Sequence, residues 1–180
     1  MGKFDGCGVS REERRDTEHR VREGRFKPGD IIFIPSLVVI DNTHGGLYGR
    51  AHELYKHYYL VVDTSHKTLE DKGMKAHSDV QVVLLDGVHN HCLAYHQALE
   101  RLGQELPPVI PAGTGMPLNT QVSTDRLIYL SRELLLARKA KGITRLPDER
   151  LFQEIQRKAF REGVHKSNTL NLNFEREPEL

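Results

Sequence analysis

Two stretches of the chain combine side chains that could move a proton with groups that could hold an anion. The first, Asp41-Asn42-Thr43-His44-Gly45-Gly46-Leu47-Tyr48-Gly49-Arg50, is a glycine-rich loop carrying one histidine and one arginine. Its glycines let backbone N–H groups approach an anion closely, without the Lys-Ser/Thr of a P-loop. The second is a pair of apolar, β-prone runs with polar ends. Tyr55-Lys56-His57-Tyr58-Tyr59-Leu60-Val61-Val62-Asp63 brings Lys56, His57 and Tyr58 together, and Val80-Gln81-Val82-Val83-Leu84-Leu85-Asp86 delivers Asp86, with His89 just beyond. Histidine titrates near neutral pH and so suits general acid and base work. Of ten histidines, most are assigned to the solvated surface and a few to function.

The elements that must position these groups read as a small barrel. Lys27-Pro28-Gly29-Asp30 is a turn in which Pro presets φ and Gly supplies permissive dihedrals. It feeds a first strand, Ile31 to Ile34, that stops at Pro35, with Val38 to Ile40 as its extension. The runs ending at Asp63 and Asp86 are the second and third strands, separated by a polar loop from Thr64 to Asp79 that contains His66 and His77. A helix follows from Asn90 to Gly103, with Cys92 in its first turn. A Pro/Gly connector spans Pro107 to Pro117, the last strands fall within Gln121 to Leu130, and Ser131 to Ala140 makes a brief turn or helix. The strongest helical pattern begins at Pro147: Leu151, Ile155 and Ala159 repeat at i, i+4 and i+8, joined by Phe152 and Phe160, and Gly163 ends it. At the other end of the chain, Ser10-Arg11-Glu12-Glu13 is a capping box opening a helix to about Gly24. Val21 is its only large apolar residue, so it reads as a solvated arm, with a docking segment for a partner or phosphate backbone as the alternative. Organisation is therefore a polar arm or helix over 1–26, a single barrel domain over 27–163, and a flexible tail over 164–180.

Bulk composition excludes several classes. Lys and Arg number 26 against 25 acidic residues, a net charge of +1, so no global field points to nucleic acid and any basic surface must be local. Cys7 and Cys92 are far apart and lack metal-ligand spacing, which suggests neither a disulfide framework nor a structural zinc and fits a reducing compartment. The first residues carry no apolar run of signal-peptide type, and nothing approaches the length of a membrane span. The expectation is a cytoplasmic protein with no membrane partner. Gly2 invites a myristoylation reading, but Cys7 stands where that motif wants Ser or Thr.

Taken in order, the parts resemble the MazF/PemK family of toxin endoribonucleases. Gly29-Asp30-Ile31-Ile32-Phe33-Ile34 is similar to the family's opening Gly-Asp strand, and a Gly-containing loop follows. Lys56-His57-Tyr58-Tyr59-Leu60-Val61-Val62 is similar to its Arg-Pro-x-x-Val strand, Pro107 to Leu130 to its late strands, and Gly142-Ile143-Thr144-Arg145-Leu146-Pro147 to the Ile-Gly-x-Leu segment before its terminal helix. The resemblance covers roughly Lys27 to Phe160. It departs at His57, where the family has the Arg of Arg-Pro, and at Asp86-Gly87-Val88-His89, where the family usually has Ser or Thr. The helix from Asn90 is an insertion. The implied fold is α+β, an SH3-like barrel of PemK/CcdB type with an N-terminal, an inserted and a C-terminal helix.

The resemblance implies metal-independent cleavage of single-stranded RNA, with no cofactor, by a homodimer with an antitoxin protein as partner. Such cleavage needs a base for the 2′-OH, an acid for the 5′-oxygen and a cation for the phosphorane. His57, His89 and Asp86 would divide the proton transfers, Arg50 would serve the phosphorane, and Lys56, Tyr58 and His44 would hold RNA. A rival resemblance joins His57 to Asn90-His91-Cys92, similar to lecithin retinol acyltransferase-like and NlpC/P60-like thiol hydrolases. There a helix N-terminus lowers the thiol pKa. The alternative for Cys92 is a buried small hydrophobe, and for the whole chain a non-catalytic SH3-like binding module.

Overall fold

The computed structural model of the chain describes residues 2–41, 50–71, 74–87, 97–166 and 169–170. Its elements are α1 (Arg11–Arg22), β1 (Asp30–Asp41), β2 (Arg50–Asp63), β3 (Lys67–Asp71), β4 (Met74–Ser78), β5 (Val80–Gly87), a helical stretch over 97–101 (α2), β6 (Val109–Ile110), β7 (Thr120–Leu130), α3 (Arg132–Ala137), β8 (Lys141–Arg145), α4 (Glu149–Lys166) and β9 (Thr169–Leu170). A seven-stranded sheet runs β6-β7-β5-β2-β1-β8 with β9 added parallel to β7; every other pairing is antiparallel. β3 and β4 form a separate two-stranded hairpin. The architecture is α+β, with the sheet strongly curled into a half-barrel. The curl is visible in β9, which is bonded to β7 yet also lies against β1.

Apolar side chains fill both faces of the central strands, so the runs read as continuous rather than alternating. On one face Ile31, Leu60, Val62, Val83, Leu85, Val122 and Leu127 pack with Ile155 and Ala159 of α4 and with Phe4, Cys7 and Val9 of the N-terminal segment. On the other, Ile32, Ile34, Tyr59, Val61, Val82, Ile128 and Leu130 pack with Val21 of α1 and Leu134 and Leu135 of α3. Leu37 and Val39 belong to this second cluster although they have the opposite parity to Ile32 and Ile34. Leu54 likewise joins it from the opposite parity to Tyr59. Both strands of the β1–β2 ribbon therefore change face between the pairs Ile34↔His57 and Leu37↔Leu54 while keeping one register. Pro35, which has no N–H to give the ladder, and Lys56, in the left-handed region at φ 53°, fall opposite each other at this bend. Pro35 thus turns the first strand without ending it, and the strand continues to Asp41.

The opening turn is as expected: Asp30 N donates to the Lys27 carbonyl, Gly29 takes φ 95°, and Pro28 precedes it, the pattern of a type II turn. The capping box of α1 is present in both directions. The helix is not a solvated arm. Thr17, Arg20 and Val21 are buried, and the backbone at Thr17 approaches Gly142 of β8 so closely that a Cβ there would overlap the Thr17 carbonyl. Arg20 replaces the missing apolar stripe by pairing with buried Asp30 through both carboxylate oxygens, at 2.8 and 3.0 Å. At the other end of the chain, α4 continues through Gly163 to Lys166. Its Gln156 donates to the Val62 carbonyl at 2.7 Å, beside the register shift between β2 and β5. Two further segments differ from their sequence reading. The loop after Asp63 contains the β3–β4 hairpin, and Lys141–Arg145, whose glycine and flanking charges disguise it, is an outer strand.

Candidate functional site

Lys56, His57 and Tyr58 follow one another on β2 at the point where the ribbon bends. His57 pairs with Ile34 of β1 on one side. On its other side the β2–β5 ladder ends at Tyr58↔Leu85, and one step further in the same register sets Asp86 opposite His57. Asp86 is itself bonded into β7 opposite Gln121. His57 and Asp86 thus stand where β2 and β5 part, each held by a neighbour on its far side. Both are half-buried, and among the described residues neither ion pair nor hydrogen bond joins them. Two proton-transfer groups on adjoining strands that are not bonded to each other both remain available to a third group.

Lys56 is exposed, so its ammonium has access to solvent beside His57 in sequence. Tyr58 is held in an aromatic cluster: its ring centroid is 5.3 Å from that of Phe33, its pairing partner, and 5.7 Å from that of Phe4. The Lys3 ammonium lies 5.4 Å from the Tyr58 centroid, within cation–π range. Phe4 and Lys3 were not legible as partners of this strand, because nothing local in Gly2-Lys3-Phe4-Asp5 signals that the segment folds back. Gly115 N–H bonded to the Cys7 carbonyl at 2.7 Å is part of what pins it there.

Arg50 pairs with Asp41 at the far end of the β1–β2 ribbon. From residue 50 to residue 57 the strand spans about 23 Å at roughly 3.3 Å per residue, so the structure does not bring the Arg50 backbone beside His57. His44, His89 and Cys92 lie outside the described residues. At the other end of the β2–β5 ladder, His66, just before β3, and His77 of β4 stack with ring centroids 5.2 Å apart. Among the described residues no group of three or more His, Cys, Asp or Glu could hold a metal ion, and no helix is long and apolar enough to cross a membrane.

Several titrations are perturbed for structural reasons. Burial raises the phenols of Tyr59 and Tyr129. Hydrogen bonding to Asp30 holds Arg20 above its ordinary range, and the Arg14 guanidinium lowers Asp5. Two open clefts among the described residues flank α1. One is lined by Phe4, Arg11, Arg14, Arg15 and Lys141 and the other by Glu12, Glu13, Asp16, Lys27 and Arg145. The regular Arg spacing of α1 was the available signal for the first, and it was read as a solvated face. No family model, curated protein or solved structure matches this chain.

Proposed function

We propose that this chain is a toxin-like, metal-independent endoribonuclease that cleaves single-stranded RNA on an SH3-like barrel. It would act as a cytoplasmic homodimer restrained by an antitoxin protein. The observation that carries the reading is the β2–β5 register: the ladder ends at Tyr58↔Leu85, so His57 and Asp86 are the next residues on two adjoining strands. In the reaction the internal 2′-oxygen attacks phosphorus, the P–O5′ bond breaks, and a 2′,3′-cyclic phosphate and a free 5′-OH result. His57 and Asp86 divide the transfers, one removing the 2′-OH proton and the other protonating the 5′-oxygen, with His89 the further candidate. Lys56 and Arg50 hold phosphate, and Arg50 would have to come from the far end of its ribbon or from a second copy of the chain. Tyr58, with His44, contacts the strand being cleaved.

The test is turnover on a mixed-sequence single-stranded RNA. His57→Ala and Asp86→Asn are each expected to slow cleavage roughly 10²–10⁴-fold, the range for a general acid or base. Arg50→Ala is expected to slow it roughly 10²–10³-fold, as for one lost charge-stabilising donor, and Cys92→Ala to leave it unchanged. Cleavage that survives both His57→Ala and Asp86→Asn, in protein that melts as the wild type does, defeats the assignment. Hydrolysis of a thioester or amide substrate that is lost in Cys92→Ala and kept in Arg50→Ala, with RNA left intact, would transfer the assignment to the thiol-hydrolase scheme.

A further inference from the structure

Helix α1 shows Arg11, Arg14, Arg15 and Glu18 along one side, the i, i+3, i+4, i+7 spacing that aligns side chains into a row. This row faces Lys141 of β8 and Phe4 of the N-terminal segment across an open cleft of about 710 Å³, within the usual range for binding sites of about 300–1,000 Å³. The two acids at the cleft are already engaged: Asp5 with Arg14 at 2.7 Å and Glu18 with Arg22 at 2.9 Å. Arg11, Arg15 and Lys141 are exposed, and among the described residues no carboxylate lies within ion-pair distance of them. Arg14 keeps its buried Nε without a hydrogen-bond partner. The cleft on the opposite side of α1 has Glu12, Glu13 and Asp16 beside its cations, so the uncompensated positive charge falls on one side of the helix only.

That side is also where the aromatic residues begin. Phe4 is shared between the cleft and the Phe4–Tyr58–Phe33 cluster, with the Lys3 ammonium 6.0 Å from the Phe4 centroid and 5.4 Å from that of Tyr58. Three exposed cations without counter-charges, Arg11, Arg15 and Lys141, leading onto aromatic rings suit single-stranded nucleic acid, whose phosphates need neutralising and whose bases offer π faces. We propose that the cleft between α1 and β8 is a binding track for single-stranded RNA, in which Arg11, Arg15 and Lys141 take successive backbone phosphates as the strand leaves Tyr58. The choice of RNA rests on the cleavage reading above. The affinity for a single-stranded polyanion rests on the cleft's own residues.

Binding is measured by fluorescence anisotropy of a labelled 2′-O-methyl oligonucleotide, which has no free 2′-OH to attack and so reports binding apart from cleavage. The variant Arg11→Gln/Arg15→Gln/Lys141→Gln is compared with Lys75→Gln/Arg138→Gln/Lys139→Gln, which removes equal charge from exposed residues elsewhere. The track variant is expected to bind about tenfold or more weakly at low salt. Its log–log salt slope should shrink by about 2, since each phosphate contact on a single strand contributes roughly 0.7. The control should stay within about twofold of wild type. Exposed Lys141→Gln alone, which leaves the fold untouched, should shrink the slope by about 0.7. Equal losses in the two triple variants, no binding by the wild type, or displacement by polyglutamate as effective as by unlabelled RNA of equal charge would each overturn the track. If the wild type binds the oligonucleotide through these residues but cleaves no RNA, the cleavage reading falls and the track stands. If it cleaves while the track variant binds normally, the reverse holds.

Discussion

Replacing Arg20 by Met should be among the most damaging single changes in this protein, because it breaks the buried ion pair that joins α1 to the start of β1. The Arg20 and Asp30 side chains are only 7% and 3% exposed. The guanidinium gives both carboxylate oxygens a hydrogen bond, gives a third to the Arg25 carbonyl at 3.1 Å, and meets Asp16 at 3.0 Å through Nε. Asp30 in turn accepts the Lys27 N–H at 2.8 Å, so it caps the turn that starts β1. Removing one member of such a pair leaves the other charged and buried, a loss of about 3–5 kcal/mol, against a total stability of about 5–15 kcal/mol for a domain. Adding Asp30→Asn to Arg20→Met removes the stranded charge while keeping an acceptor for Lys27. The double variant should therefore be more stable than Arg20→Met alone, with a coupling of about 1–3 kcal/mol. Urea melts of the four proteins supply the cycle. A loss below about 1 kcal/mol for Arg20→Met, or a double variant less stable than that single, would show that α1 is held by something else.

Ile155→Ala should cost about 2–5 kcal/mol in denaturant melts, because Ile155 is fully buried between α4 and the sheet, and Leu151→Ala less, because Leu151 is only partly buried. Tyr59→Phe should leave stability at neutral pH unchanged or raise it by about 1 kcal/mol, since the Tyr59 hydroxyl is buried without a partner. The same burial raises the Tyr59 pKa above its ordinary 10.0. Unfolded Tyr59 loses its proton near pH 10 while folded Tyr59 keeps it, so its contribution is complete below that pH and is lost as pH rises toward the folded value. Thermal melts should show the wild type losing stability above about pH 10 by up to roughly 1.4 kcal/mol per pH unit more than Tyr59→Phe does. Gly142→Ala should cost about 1–3 kcal/mol and loosen α1, because its Cβ would meet the Thr17 carbonyl; faster amide exchange in α1 than in β5 is the check.

Local chemistry made much of this fold legible. Lys27 to Asp30 shows its turn in Pro28 and Gly29, Ser10 and Glu13 show their capping box, and Leu151, Ile155 and Ala159 show their face, because each signal lies within a few residues. What stayed hidden depends on distant partners. The first strand reads as stopping at Pro35 with Val38 to Ile40 as an extension; what stayed hidden is that the two are one strand, bent where Pro35 and Lys56 fall opposite each other. The first helix reads as solvated because it has one large apolar residue, whereas its docking uses Arg20, Asp30 and the missing side chain of Gly142. For the site, the two β-prone runs brought His57 and Asp86 to adjoining strands as their polar ends suggested. Arg50, which reads as the end of a glycine-rich loop, is instead the first residue of β2, so the length of the ribbon separates it from His57.

The account turns on what the chain does to RNA, and the most direct measurement is the chemistry of the ends it leaves. Purified protein incubated with a single-stranded RNA in excess EDTA should yield fragments that mass spectrometry identifies as 2′,3′-cyclic phosphates paired with 5′-hydroxyls, and His57→Ala should abolish them. Fragments with 5′-phosphates and 3′-hydroxyls, or RNA left intact by folded wild-type protein over a range of sequences, would contradict it.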